Sequence, residues 1–187
     1  IIDAGAMDHI LFLFALAAIY RFSDWRELIR VVTAFTIGHS ITLAAAVLGF
    51  LPLSPKLVEF LIPLTIIATC IENLVVRDRV GGTGWHRYRP IFAVVFGMVH
   101  GAGFGSYLKS LFVDSVAVPL FGFNIGIELG QMAVLSPIFI AIWLIDLLLS
   151  SAVRPSFRLS PVRLRIFGFS AIVHYFASRV AVDRASW

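Results

Sequence analysis

Histidine and acidic side chains occur inside long apolar stretches of this sequence. A charged group at the centre of a bilayer costs about 2.5 to 3.5 kcal/mol on insertion scales, so such residues usually line the interior of a helix bundle and have a function there. The candidates among them for binding a metal ion are Asp8, His9, His39, Glu72, His100 and Glu128.

These residue types are the ligands of a borderline divalent cation. Neutral imidazole nitrogen and carboxylate oxygen together suit Ni²⁺, Co²⁺, Zn²⁺ or Cu²⁺, and no thiolate is needed. A single histidine would more often be a hydrogen bond between two helices. Three histidines on separate helices, with carboxylates at comparable depth, instead favour one shared metal site. We therefore expect His39 and His100 to meet at least one of Asp8, His9 and Glu128. Glu72 lies nearer the cytoplasmic end of its helix, where it is either a second metal-binding position or an interfacial residue.

Other residues that could do chemistry carry weaker signals. His86 falls in a loop and His174 has no acidic neighbour in sequence, so neither belongs to the expected site. The single cysteine, Cys70, excludes a disulfide framework and a thiolate cluster. No G-x-x-x-x-G-K-[ST] loop is present, so ATP does not drive a process through this chain alone.

The elements that must position the site are transmembrane helices. The chain has 187 residues, of which 59% are hydrophobic and 14% charged, well beyond the apolar share of a soluble domain. Each apolar segment is near the length that crosses a bilayer. The sequence predicts an all-α, polytopic bundle of about six transmembrane helices forming one domain over 1–187, at 3–20, 28–51, 57–76, 90–112, 117–150 and 162–182. The chain begins at Ile1, which suggests that a segment upstream was removed or not included.

Basic residues alternate between loops and predict the orientation. Arginines cluster after the first, third and fifth segments, whereas the loops after the second and fourth carry only Lys56 and Lys109. The positive-inside rule places the arginine-rich loops in the cytoplasm and both termini outside. It also accounts for the net charge of +4 without nucleic acid as a partner. Arg179 and Arg184, near the C-terminus, depart from this pattern.

Small residues predict how two helices pack. Gly97, Gly101 and Gly105 recur every four residues on the fourth segment, and Gly122, Gly126 and Gly130 do so on the fifth. Such a face lets helix backbones approach closely. We expect the fourth and fifth helices to meet along one of these ladders. Asn124, Glu128 and Gln131 share another face of the fifth helix, so protein is expected on both of its sides.

Five ordered motifs resemble those of the HupE/UreJ family. They are GAMDHILF at 5–12, FTIGHSITL at 35–43, ENL at 72–74, FGMVHGAGF at 96–104 and FNIGIELGQ at 123–131, and together they cover nearly the whole chain. Gly38 stands where an alanine is common before the His-Ser pair. Members are small polytopic proteins linked to hydrogenase and urease accessory systems and are regarded as nickel or cobalt permeases.

The resemblance implies a permease for a divalent transition-metal ion in the bacterial inner membrane. It carries over the six residues named above as metal ligands, with nickel or cobalt ahead of zinc or copper. The expected partners are the lipid bilayer, the metal ion, and either a second copy or a membrane complex. Two alternatives stay open: an intramembrane zinc hydrolase, in which Asp8 or Glu128 acts as general base, and a non-catalytic subunit whose polar residues only join helices.

Overall fold

A computed structural model describes residues 4–51, 54–75, 88–111, 117–152 and 160–185. These parts of the chain contain six α-helices, with one 3₁₀ turn (Phe22–Asp24) before the second. The helices are α1 (Ala4–Ala17), α2 (Trp25–Val47), α3 (Pro55–Val75), α4 (Arg89–Leu111), α5 (Ala117–Ala152) and α6 (Pro161–Ala185). Each overlaps one predicted segment, with ends that differ by at most four residues. The all-helical prediction is confirmed.

The first helix occupies the centre of the bundle. All residues from 12 to 20 are buried except Phe14, and α1 packs against α3, α5 and α6. A helix that is apolar on every side is surrounded by protein or lipid, and here the neighbours are other helices. His9 sits one turn before this buried stretch, so its side chain is carried into the bundle.

Glycines bring α2 and α4 into the closest contact in the bundle. A Cβ added at Gly97 would overlap the backbone oxygen of Phe35, and one added at Gly101 would overlap that of His39. Gly38 on α2 is equally tight against the backbone of Val94. Only residues without side chains allow this approach, which sets His39 and His100 at one helix interface.

The prediction that α4 and α5 meet along a glycine ladder is wrong. The α4 ladder packs on α2, where a Cβ at Gly105 would overlap that of Ala46. Among the residues that the structure describes, a Cβ at Gly122, Gly126 or Gly130 would meet no atom within 4 Å. α5 is therefore not enclosed on both sides; it packs through another face, which includes Gln131, Leu135, Ile138 and Ile142. It also continues as one helix through Pro137.

The outer surface is apolar, as lipid requires. Ile37 and Ile41 on α2 are each 53% exposed, and Leu129 on α5 is 66% exposed. In water such a surface would be an aggregation hazard. Within the described ranges, three helical stretches are long and apolar enough to cross a membrane, namely Phe22–Val47, Pro55–Val75 and Val118–Ser151, and Met7–Ala17 is a shorter apolar helix. The chain is an integral membrane protein.

Candidate metal site

Three histidines from three helices meet inside the bundle. The ring of His9, on α1, lies 5.6 Å from that of His39 on α2 and 5.0 Å from that of His100 on α4, measured between centroids. His39 and His100 are fully buried. Phe12 and Phe35 pack on the His100 ring at 5.3 and 5.2 Å. The sequence predicted that His39 and His100 would meet a third candidate, and the structure brings both beside His9.

A cavity of about 270 Å³ opens beside two of these rings. His9 and His39 form part of its wall, and Gln131 on α5 is the other polar side chain that lines it. The remaining wall is apolar and consists of Ile10, Leu13, Phe104, Phe123, Ile127, Gly130 and Val134. A mostly apolar pocket with a few convergent polar groups is the usual form of a binding site.

Several imidazole nitrogens of the cluster have no hydrogen-bond partner within the described ranges. They are Nδ1 and Nε2 of His39 and Nδ1 of His100. A buried polar atom without a partner costs about 1 to 3 kcal/mol, so such atoms are rare in folded proteins. The cluster therefore retains nitrogen atoms that are available to a ligand.

The present side-chain positions do not form a finished coordination shell. Among the described residues, no group of three or more His, Cys, Asp or Glu side chains is arranged to hold a metal ion. The ring spacings are nevertheless suitable. With a metal-to-nitrogen bond of about 2.1 Å, two imidazoles that share one ion have centroids roughly 4.5 to 6 Å apart. The two printed pairs, His9 with His39 at 5.6 Å and His9 with His100 at 5.0 Å, both fall in this range.

Asp8 points to a different partner from the histidine next to it in sequence. Its Oδ2 atom lies 2.8 Å from NH2 of Arg184, near the end of α6. NH1 of Arg184 donates to the carbonyl oxygen of Glu59 at 2.9 Å. That carbonyl is free because Pro63, four residues on, has no N–H to bond it. In this conformation Asp8 is an ion-pair partner and not part of the histidine cluster.

Glu72 is also bound to an arginine. Its Oε1 and Oε2 atoms accept hydrogen bonds from Nε and NH2 of Arg89, at 2.8 and 3.3 Å. NH2 of Arg89 also donates to Asn73 at 2.7 Å, and Asn73 donates to the carbonyl of Ala15 at 2.6 Å. This network joins α1, α3 and α4. Of the two interpretations of Glu72, a second metal-binding position or an interfacial residue, the contacts favour a structural partner of Arg89.

Glu128 belongs to a polar seam between α5 and α2. Thr36 donates to Gln131 at 2.8 Å and Ser40 donates to Asn124 at 2.8 Å. Thr33 lies 3.5 Å from Glu128, at the long limit of a hydrogen bond. The shared face of Asn124, Glu128 and Gln131 that the sequence predicted therefore packs on α2. Only Gln131 also reaches the cavity.

Sequence reasoning missed the residues that hold the candidates in place. One sequence feature pointed to Arg184, namely its departure from the positive-inside pattern. In the structure it forms an ion pair with Asp8 inside the bundle. No such feature pointed to Thr65, although its hydroxyl lies 3.0 Å from Nε2 of His100. Of the two histidines set aside, His174 is exposed on α6 and His86 lies outside the described residues. Most of the arginine-rich loops also lie outside them, so the orientation stays a prediction.

Comparison with known proteins agrees with the motifs. A family model described as HupE / UreJ protein matches residues 2–178, which is nearly the whole chain. No curated protein matches the chain, and no solved structure matches it. On this match, the chain belongs to the HupE/UreJ family.

Proposed function

We propose that this chain is a permease for a divalent transition-metal ion, nickel or cobalt first, in the bacterial inner membrane with both termini outside. The single observation that carries the proposal is the convergence of three imidazoles from α1, α2 and α4 beside a cavity inside the bundle. Family membership supports it, since HupE/UreJ proteins are associated with nickel and cobalt uptake or with accessory roles.

A transport site must bind its ion and release it again. Neutral nitrogen ligands supplied by separate helices suit this, because small helix movements or ring rotations change the number of ligands. A structural site, in contrast, is closed and keeps four fixed ligands. The arrangement here is an incomplete shell, because nitrogens of His39 and His100 have no partner in the described part of the chain and a cavity lies against His9 and His39. We assign the ion first to His9 and His39, which line the cavity, and then to His100 behind them.

The carboxylates have lesser parts in this proposal. Asp8 adjoins His9 in sequence and becomes a ligand only when its ion pair with Arg184 opens. Glu128 lies one turn before Gln131, which lines the cavity, and we place it as a candidate for passing the ion along α5. Glu72 keeps its hydrogen bonds with Arg89 on α4, and we give it a structural role.

Two other functions fit less well. A zinc hydrolase needs a carboxylate near the metal to act as general base, but Asp8 is paired with Arg184 and Glu128 lies against Thr33. A subunit that uses its histidines only to join helices would be expected to pair their nitrogens. His39 pairs neither of its own within the described part of the chain.

The test is metal binding and uptake by purified protein in proteoliposomes. Wild-type protein should bind Ni²⁺ or Co²⁺ by calorimetry and accumulate the ion inside vesicles. His39→Gln and His100→Gln should each reduce uptake at least tenfold. His174→Gln is the matched control, because His174 is an exposed histidine on α6 away from the cluster, and it should behave as wild type.

Two results would contradict the proposal. Normal uptake by both cluster variants, with the protein inserted and monodisperse, would show that the three imidazoles do not carry the ion. Tight binding of Zn²⁺ with release of product from a lipid or peptide substrate, and no ion movement, would favour the hydrolase instead.

A further inference from the structure

The hydroxyl group of Thr65 on α3 lies in hydrogen-bond contact with the histidine cluster. Its Oγ1 atom lies 3.0 Å from Nε2 of His100 and 2.7 Å from the carbonyl oxygen of Ile62. Thr65 is 7% exposed and His100 is fully buried, so water competes little for either contact. Thr65 itself is not one of the proposed metal ligands.

The two contacts together decide which atom carries each proton. A hydroxyl group has one proton to give, and a carbonyl oxygen can only accept. The 2.7 Å contact with Ile62 is a hydrogen bond only if Thr65 donates. If Thr65 gives its proton to Ile62, it accepts at its remaining lone pairs, and the contact with His100 then requires a proton on Nε2. In a neutral imidazole the other nitrogen, Nδ1, then has the lone pair.

We propose that Thr65 is a positioning residue that holds His100 in the Nε2–H form, so that Nδ1 is its basic nitrogen within the histidine cluster. Nδ1 of His100 is buried without a hydrogen-bond partner among the described residues, so its lone pair is available to a metal ion. Metal-binding histidines usually donate their other N–H to an oxygen, which fixes the tautomer and the ring orientation. The effect of this tautomer on metal binding rests on the proposed function. The assignment of the tautomer itself does not.

Another buried threonine on the same helix, Thr69, provides a matched control. Thr69 lies one turn beyond Thr65, is 1% exposed, and donates to the backbone oxygen of Thr65 at 2.9 Å. Among the described residues its hydroxyl bonds to this backbone oxygen and not to a histidine, and Thr69→Val removes a buried hydroxyl as Thr65→Val does. A general effect of losing such a hydroxyl on α3 would therefore appear in both variants.

The first experiment is NMR of ¹⁵N-histidine-labelled protein in nanodiscs without metal, with the His100 signals assigned by their loss in His100→Gln. Wild-type protein should show the proton of His100 on Nε2, in a hydrogen bond. Thr65→Val should shift that N–H signal and speed its exchange with solvent, whereas Thr65→Ser and Thr69→Val should leave it unchanged. A wild-type proton on Nδ1, or a signal unchanged in Thr65→Val, would overturn the proposal.

The second experiment measures Ni²⁺ and Co²⁺ dissociation constants for the same variants. Loss of an outer hydrogen bond to a metal-binding histidine typically costs 10- to 100-fold in affinity, so Thr65→Val should weaken binding at least tenfold, with recovery in Thr65→Ser. Affinity within twofold of wild type in Thr65→Val would overturn the positioning role. If wild type binds neither ion while His100 still has its proton on Nε2, the proposed function fails and the tautomer assignment stands.

Discussion

Arg184 and Asp8 form an ion pair of 2.8 Å that ties the end of α6 to the residue before His9. The guanidinium also binds the Glu59 carbonyl that Pro63 leaves free on α3. One side chain thus connects α1, α3 and α6 at the end of the bundle where the histidine cluster begins. The pair is largely buried, with 18% of the Arg184 side chain and 3% of the Asp8 side chain exposed.

Arg184→Gln should therefore destabilise the protein, because it leaves the Asp8 carboxylate without its partner in a nearly dry site. We expect a loss of about 2 kcal/mol, which for a chain of this size lowers Tm by roughly 4 to 8 °C. Arg179→Gln, which changes an exposed arginine of the same helix, is the control. Thermal unfolding in detergent measures both, and equal melting temperatures would show that the ion pair contributes nothing.

Glycine substitutions should separate the two ladders. Gly101→Leu should strongly destabilise the bundle, since its side chain would overlap the backbone of His39 on α2. Gly126→Leu meets open space and should leave thermal stability in detergent within 2 °C or so of wild type. A stable Gly101→Leu protein would remove the basis for the α2–α4 packing. A large loss for Gly126→Leu would mean that α5 has a partner on that face.

Glu72→Gln should reduce stability and leave the metal site in place. The change removes the carboxylate that balances the buried guanidinium of Arg89, which costs about 3 kcal/mol for a broken buried pair. Glu27→Gln breaks the exposed pair with Arg30 and should change stability by less than about 1 kcal/mol. Metal affinity of folded Glu72→Gln protein should stay within twofold of wild type. A tenfold loss would return Glu72 to the ligand set.

Cysteine labelling will test the orientation. Single cysteines near Arg26, Arg87 and Arg158, introduced in a Cys70→Ala background, should resist an impermeant thiol reagent in intact cells and react after lysis. Cysteines added at either terminus should react from outside. Labelling of the three arginine-rich loops in intact cells would reverse the assigned topology, and with it the side from which the ion enters.

The sequence by itself determined the membrane bundle and the set of polar residues inside it. Hydropathy and length along the chain predict helices because a bilayer demands internal hydrogen bonding over about 20 residues. Hydropathy also identified His9, His39 and His100, because an imidazole stands out in an apolar stretch of sequence whichever helix it later packs against. Their separation into three helices was also evident, and it made a shared site the economical expectation.

Tertiary structure alone decided which residues meet. The spacing of glycines fixes a face of one helix but not its neighbour, so the ladders of α4 and α5 look alike in sequence. In the described part of the chain, however, one packs on α2 and the other meets no atom within 4 Å. Asp8 and His9 are adjacent in the chain but point to different partners, because successive residues on a helix project about 100° apart. Arg184 contacts Asp8 and Thr65 contacts His100 because of how α1, α3, α4 and α6 pack against one another. No local sequence pattern specifies that packing.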